Sequence, residues 1–464
     1  MDMTSGNLFK KIFLFSLPII LSGLLQLLYN AADLVVCGKF GSEHSVGAIS
    51  ATSSLINLIV NLFMGLSVGA NVLMARSFGA NNKEKGQRIA YTSMILSAIL
   101  GIIIGIFGAL CSGYFLIWMG TPDEVIKLST LYLRIYFCGV PFSLVYNFGA
   151  SLLRAVGDTK RPFYFLAASG VFNVLLNLLF VIVFKMDVAG VALGTVASQA
   201  ISAACVMVCL VRNKGFFHFS FKEMHFYKQE ALEIIRVGLP AGLQSAIFSL
   251  SNVLIQSSVN GLGADTMDGN GAACSIEGFV YVSMNSVAQA CIAFVSANFG
   301  AGKWDNIKKI VLYSFVYVCI FGLSVGGLVT ILGKPLLSIY VSTPEKISVG
   351  YSRLIVICLT YCLCGLMDVM GYSVRGIGYS VLPTIVALLG ACGFRILWVY
   401  TIFRLSAMHS LQGLAISYPI SWALTFAVHS TVFIILYRKK KREYEQSRVQ
   451  DEIIPQTAEE IIDK

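Results

Sequence analysis

Apolar residues run in long blocks along this chain, and short polar stretches separate them. Twelve blocks stand out, at roughly 12–36, 46–74, 89–117, 128–152, 162–184, 187–211, 233–260, 271–297, 309–333, 347–373, 382–403 and 409–437, each near the ~20 residues a helix needs to cross hydrocarbon. Periodicity adds little, because a helix that faces lipid on one side is apolar nearly all round. Length and the scarcity of charge therefore predict an all-α polytopic membrane protein with twelve transmembrane helices.

The blocks form two matching series. Leu17-Pro18 returns as Leu239-Pro240, Phe78-Gly79-Ala80 as Phe299-Gly300-Ala301, Thr121-Pro122 as Thr343-Pro344, and Arg154-Ala155-Val156-Gly157 as Arg375-Gly376-Ile377-Gly378, each pair 221 or 222 residues apart. A constant offset across four separate landmarks means internal duplication, and in an apolar chain it predicts two similar bundles with the working site between or within them. An amino-terminal lobe is expected over 1–211 (helices 1–6) and a carboxy-terminal lobe over 233–437 (helices 7–12). The linker over 212–232 is basic and aromatic, which suits a segment lying on anionic lipid. The tail over 438–464 is polar and mixed in charge, and is expected to be mobile with at most a short amphipathic helix near Ile453 to Ile462.

Charge sets the orientation. Only 12% of residues are charged, against about 25% in a soluble domain. The net charge of +10 would suit nucleic acid, but its distribution excludes that partner. With the loops placed on alternate sides, one side has only Lys39, Lys127, Lys185, Lys334, Lys346 and Arg404, while the other has the rest of the loop lysines and arginines. The positive-inside rule then puts both termini in the cytoplasm of a plasma-membrane protein. The first block follows Lys10-Lys11 and lacks a small-residue cleavage site, so it reads as a retained helix. The twelve cysteines lie almost entirely in apolar segments, which argues against a metal site. The sequence holds no GxxxxGK[ST], HExxH or GxSxG. Neither a cofactor nor an enzymatic activity is expected, and transport would draw on an ion gradient.

The duplicated landmarks have physical roles. Gly79 and Gly300 are expected as left-handed helix C-caps, and Gly157 as the end of helix 4. Asp158 or Thr159 can cap helix 5, with Pro162 in its first turn. Pro18 and Pro240 fall inside helices 1 and 7, where each removes a backbone donor; both are read as bend points, either static or moving.

Polar residues inside the membrane are expensive and mark function. Asp33 lies deep in helix 1, with Tyr29 and Asn30 one turn back on roughly its face. Asn147 in helix 4, Asn173 and Asn177 on one face of helix 5, and Thr195 in helix 6 are the other embedded polar groups of this half. One carboxylate with amide and hydroxyl oxygens suits a proton or a sodium ion, and the residues do not choose between them. The bland alternative for Asp33 is an ordinary cap at the outer water boundary; the functional reading is preferred. The second half departs from this set: Asp33 maps to Ile255, Asn30 to Asn252, Asn147 to Asp368 and Asn173 to Arg395. Asp368 and Arg395 thus form a candidate intramembrane ion pair, with Glu277, Asn252 and Gln256 as further members of a second polar cluster. Arg134 and Arg353 are expected to snorkel to the outer interface.

Taken together, these landmarks resemble the MATE (multidrug and toxic compound extrusion) transporters. The proline-bearing first helix running into LYNAAD, then SFGA, TPDE, YLRI and LRAVGDTKRP, with SANFGAG and VRGIGYSVLP in the second half, carry the resemblance over about residues 8–437. It implies two pseudo-symmetric six-helix lobes around a central cleft, and export of drugs or metabolites in exchange for protons or sodium. Asp33 matches the acidic helix-1 position that such transporters use for cation coupling. Tyr29, Asn147, Asn173 and Thr195 match polar positions of the prokaryotic DinF-like branch. Asn177 stands where that branch often has aspartate, which puts a two-acid sodium site in doubt. The acid of helix 7 in other branches is missing too, since Pro240 to Ser258 contains no Asp or Glu.

The leading reading is a monomeric, cation-coupled antiporter for amphipathic, cationic small molecules. Its rival is a flippase for a lipid-linked or other polar precursor, which would need a strongly cationic cleft and often extra helices. A membrane enzyme would need clustered catalytic groups, whereas His44, His218, His225, His409 and His429 are scattered.

Overall fold

The computed structural model describes residues 1–42, 44–213 and 215–462. Lys214 of the linker and the last two residues of the tail lie outside the described residues. Among the described residues, twelve helices are long and apolar enough to cross a membrane. They are α1 (Leu8–Phe40), α2 (Ser45–Gly79), α3 (Lys83–Trp118), α4 (Asp123–Ala155), α5 (Lys160–Val183), α6 (Asp187–Arg212), α7 (Lys228–Asn260), α8 (Ala264–Gly300), α9 (Trp304–Ile331), α10 (Pro344–Gly376), α11 (Val381–Arg404) and α12 (Ser417–Ile462). Short helices at Gly333–Ser338 and Leu411–Ala415 precede α10 and α12. The fold is therefore all-α, with the twelve spans the apolar blocks predict. Both α5 and α11 contain wider π-helical turns, at Leu179–Val183 and Leu388–Gly393. The last helix continues through the basic run after Tyr437 to Ile462.

Packing divides the helices into two groups with an exchange between them. In one group α3 lies on α4, and α4 on α2 and α6; in the other, α10 lies on α8, α9 and α12. Helix α1 belongs to both. Its first turns bury Leu8, Ile12, Phe15 and Ile19 in the core of the second group, where Phe15 meets Phe294 edge-on at 5.3 Å. Beyond Pro18 it crosses to α5, and the Tyr29 hydroxyl donates to the Ala167 carbonyl at 3.3 Å. Helix α7 makes the reciprocal crossing. Ile234 joins the first core, while Ile255 and Val259 pack with Trp398 and Phe403. Both prolines thus sit where their helices change partners.

Glycine makes the crossing of α2 and α7 possible. A Cβ on Gly65 would collide with the backbone of Gly242, and one on Gly69 with the Ile234 carbonyl. The same device closes the end of the molecule that carries both termini. A Cβ on Gly79 would strike the Ala297 carbonyl, and one on Gly300 the Arg76 carbonyl, so α2 and α8 touch backbone to backbone. This corrects the C-cap expectation for both glycines. The left-handed positions fall two residues later, at Asn81 (φ 52°) and Gly302 (φ 67°), whereas Gly157 (φ 89°) does end α4 as expected. At their other ends α2 and α8 separate. Ser129 in α4 donates to the Ala48 carbonyl at 3.2 Å, and Gly269 of α8 lies against Gly350 of α10.

Two surface segments are held more firmly than their composition suggests. In the linker, Phe217 and Phe219 are buried in the first core, and the His218 amide donates to Gln87 Oε1 at 2.8 Å. Only part of that segment, including Phe221 and Met224, is left on the surface. The residues before α1 form a strap across the closed end. Met3 is fully buried, its carbonyl accepts from Asn298 Nδ2 (2.8 Å), and the Thr4 carbonyl accepts from Lys303 Nζ (2.9 Å).

Candidate functional site

Asp33 is met by α5 and α6. Its Oδ1 accepts from Asn177 Nδ2 at 2.6 Å, the same amide lies 3.4 Å from Asn173 Oδ1, and Asn173 Nδ2 donates to Thr195 Oγ1 at 3.4 Å. The Thr195 hydroxyl donates its hydrogen bond to the Val191 carbonyl (2.9 Å), leaving its lone pairs for the cluster. The Asn177 amide is thus the branch point: it donates to the carboxylate on one side and, through Asn173 and Thr195, starts a chain that ends on the Val191 carbonyl. Asn177 Oδ1 is buried with no partner, so the cluster holds a spare acceptor beside Asp33. Gly194 makes room for it, since a Cβ there would strike Asn177 Oδ1. Asp33 has no cationic partner among the described residues.

The other residues expected around Asp33 lie elsewhere. Tyr29 stays close but binds the α5 backbone. Asn30 is exposed on another face of α1. Asn147 donates to the Ser143 carbonyl one turn back in its own helix, at 2.8 Å. Only Asn173, Asn177 and Thr195 converge on the acid.

A cavity of about 480 Å³ lies between the two groups of helices, beyond the α2–α8 contact. The first half contributes Asn61, Ser67, Asn71 and Arg154, and the second half most of the remaining wall. Its aromatic side includes Phe248, Tyr361 and Trp422, with Tyr361 and Trp422 stacked at 5.2 Å. Asp368, Arg375 and Arg395 also face it. Three guanidiniums therefore line the space against one carboxylate, which is more basic than the sequence suggests. Arg154 and Arg375 stand near helix ends, where the sequence alone counts them with the loop arginines. The signal that could have found them is their own symmetry, since they occupy the same duplicated landmark 221 residues apart.

The second polar cluster is rearranged. Asp368 and Arg395 share the cavity but form no ion pair. Arg395 instead donates from Nε to Ser421 Oγ (2.9 Å) and lies 4.0 Å over the Tyr418 ring and 5.6 Å from Trp422. Neutral and aromatic partners on α12 hold it in place without a carboxylate. Asp368 Oδ2 is buried and unpartnered. Glu277 pairs with Arg353, through Nε at 2.8 Å and the terminal nitrogen at 2.9 Å. Arg353 is 4% exposed, so it does not snorkel; the turn of α10 that carries it faces α8 and Glu277. Arg134 is exposed, as expected. Gln256 joins a separate amide chain, donating to Asn260 (2.9 Å) and accepting from Asn270 (3.0 Å). Asn252 lines the cavity. No cluster of three or more His, Cys, Asp or Glu side chains suited to a metal occurs among the described residues.

The sequence profile of the MatE family matches residues 18–179 and again 240–401. The chain belongs to the MatE family. The two matches are displaced by 222 residues, in step with the 221 or 222 of the landmarks. This is a family of membrane transporters, so the protein is a multi-pass transporter and not an enzyme. Among MatE relatives, the probable multidrug resistance protein YoeA of Bacillus subtilis is 25% identical, over 94% of this chain and 95% of its own. YpnP of the same organism, also named a probable multidrug resistance protein, is 28% identical over 81% and 84%. Among solved structures, an outward-facing MATE transporter aligns with TM-score 0.88 at 22% identity, covering 94% of this chain and 97% of that one. A Pyrococcus furiosus transporter described as having a binding pocket of reversed polarity gives the same values. At that identity the likeness speaks to the MatE fold.

Proposed function

We propose that the protein is a secondary active antiporter that exports amphipathic small molecules in exchange for protons or sodium ions, by alternating access. The observation that carries this reading is the position of Asp33. It is a lone carboxylate at membrane depth, in a helix whose other half is embedded in the opposite lobe. An ion that binds there alters the hold of α5 and α6 on α1, and α1 carries the change to the other side of the cavity. Binding drives movement only if the two arrangements differ in ion affinity, and Asp33 supplies such a difference. Ionised, it accepts from Asn177. Protonated, it needs an acceptor, and a turned Asn177 amide supplies one. Sodium would instead draw on the oxygens of Asp33, Asn173, Asn177 and Thr195.

The relatives named for multidrug resistance and the multidrug export protein MepA of Staphylococcus aureus support efflux as the direction. With both termini in the cytoplasm, the closed α2–α8 end faces inward and the arrangement is outward-facing. The protein acts as a monomer in the plasma membrane, with the bilayer, the cargo and the coupling cation as its partners and no cofactor.

A second reading, export of a lipid-linked or other polar precursor, is favoured by the three arginines of the cavity. The helix count of twelve is against it. Proteoliposomes test the leading reading: efflux of a fluorescent amphiphile is measured under an imposed proton gradient and then a sodium gradient. One gradient should drive it, and Asp33→Asn should abolish the drive. If neither gradient acts, or if Asp33→Asn keeps full coupling, the reading fails.

A further inference from the structure

We propose that the cavity holds its cargo through an anionic group, a carboxylate, sulfonate or phosphate, seated on the guanidinium of Arg395. This rests on the exporter reading and adds the charge class of what is carried.

The lining is the starting point. Arg154, Arg375 and Arg395 all face the cavity, and none pairs with a carboxylate among the described residues. Their partners within the protein are neutral. Arg154 donates to Gln289 Oε1 at 3.3 Å, and Arg375 to Gln244 Oε1 and Thr384 Oγ1. The one acid, Asp368, leaves the space net positive. An organic cation would have to desolvate beside three uncompensated guanidiniums, whereas an anion gains from the same field.

Arg395 is the best placed of the three. Among the described residues it uses only Nε, on Ser421 Oγ, and both terminal nitrogens are left without a hydrogen bond. Its plane is fixed by the Tyr418 ring at 4.0 Å. A guanidinium held flat on an aromatic face, with two free donors, matches the two oxygens of a carboxylate, sulfonate or phosphate, and its side-chain entropy is already lost. Arg353 also lies over Tyr418, at 5.2 Å, but Glu277 neutralises it and it does not compete for the anion. The stacked Tyr361 and Trp422 beside the fork would cover the apolar part of the same molecule. A cavity of about 480 Å³ suits one drug-sized ligand. A donor on that ligand would satisfy the orphaned Oδ2 of Asp368.

A matched probe pair tests this. Pyrenebutanoate and a pyrenebutyl-trimethylammonium ion share an apolar body and differ in charge, and energy transfer from the tryptophans, of which Trp422 lines the cavity, reports binding to purified protein with no gradient present. In the wild type the carboxylate should bind at least tenfold more tightly than the ammonium. Arg395→Gln should remove that preference, and Arg395→Lys should keep part of it at an unchanged melting temperature. Equal or tighter binding of the ammonium by the wild type overturns the proposal, as does undiminished carboxylate binding by a folded Arg395→Gln. Nanodiscs of phosphatidylcholine with and without phosphatidylglycerol separate two sources of the anion. Competition by phosphatidylglycerol assigns the fork to a lipid headgroup, and its absence to a free amphiphile. Binding is read without transport, so failure here leaves ion-driven efflux standing, and failure of efflux leaves this result standing.

Discussion

Glu277 and Arg353 face each other in the interior of the second lobe, with both carboxylate oxygens occupied, at 2.8 and 2.9 Å. The side chains are 6% and 5% exposed. Breaking such a pair leaves a buried charge alone and costs about 3–5 kcal/mol, whereas replacing both partners with apolar residues is often neutral. Glu277→Ala should therefore lower the melting temperature of the purified protein sharply, and the double variant Glu277→Leu, Arg353→Met should melt close to the wild type. A single variant as stable as the double would show that the pair is not buried.

Asn177 invites the converse change. It stands 2.6 Å from Asp33, so Asn177→Asp places two carboxylates in one site. They cannot both ionise there without a cation between them. Sodium should stabilise this variant by about 1.4 kcal/mol at ten times its dissociation constant, and potassium much less. Thermal melts in matched sodium and potassium chloride measure the difference. Equal melts in the two salts would exclude a sodium site made from these oxygens.

At the closed end, Gly300→Ala sets a methyl group against the Arg76 carbonyl. Overpacking of this kind costs about 1–3 kcal/mol. Here the cost falls only on the arrangement in which α2 and α8 touch. Amide hydrogen exchange around residues 76–80 and 297–302 should quicken while the rest of each helix keeps its protection. Uniform quickening would mean general destabilisation instead.

The strap is a stability element. Met3 is fully buried in the large core that also holds Leu8, Phe294 and Trp304, and Met3→Ala should cost about 2–5 kcal/mol, read as a lower melting temperature. Burial pushes the neighbouring Asp2 carboxyl up, but hydrogen bonds from Ser5 and Thr4, with Lys11 nearby, hold it down to about 2. Its contribution is present above the free carboxylate range near 4 and is lost as pH falls through about 2. Asp2 should therefore add no step to the melting temperature of the wild type between pH 5 and 8.

The helices and their duplication were legible because the bilayer makes length and apolarity decisive, and because Pro18 and Pro240, or Gly157 and Gly378, keep their spacing. Asp33 with Asn173, Asn177 and Thr195 was legible for a related reason, since few polar groups occur at that depth. Partner choice was not. Asp368 and Arg395 map onto Asn147 and Asn173, yet symmetry of position does not bring side chains together, and Arg395 turns to Ser421 and Tyr418. Arg353 was misplaced because the sequence cannot say that its turn of α10 faces Glu277 of α8. Gly79 and Gly300 were given the wrong role because a glycine at a helix end serves a turn or a close crossing equally well, and only the neighbouring helix decides.

The exchange of α1 and α7 bears on how the protein is made. When α1 to α6 have left the ribosome, the stripe of Leu8, Ile12, Phe15 and Ile19 still lacks the α8 surface that covers it. The first core likewise waits for Ile234 of α7. Neither half of the chain can finish its interior alone. Biogenesis must hold an unfinished first half in the membrane until the second is inserted.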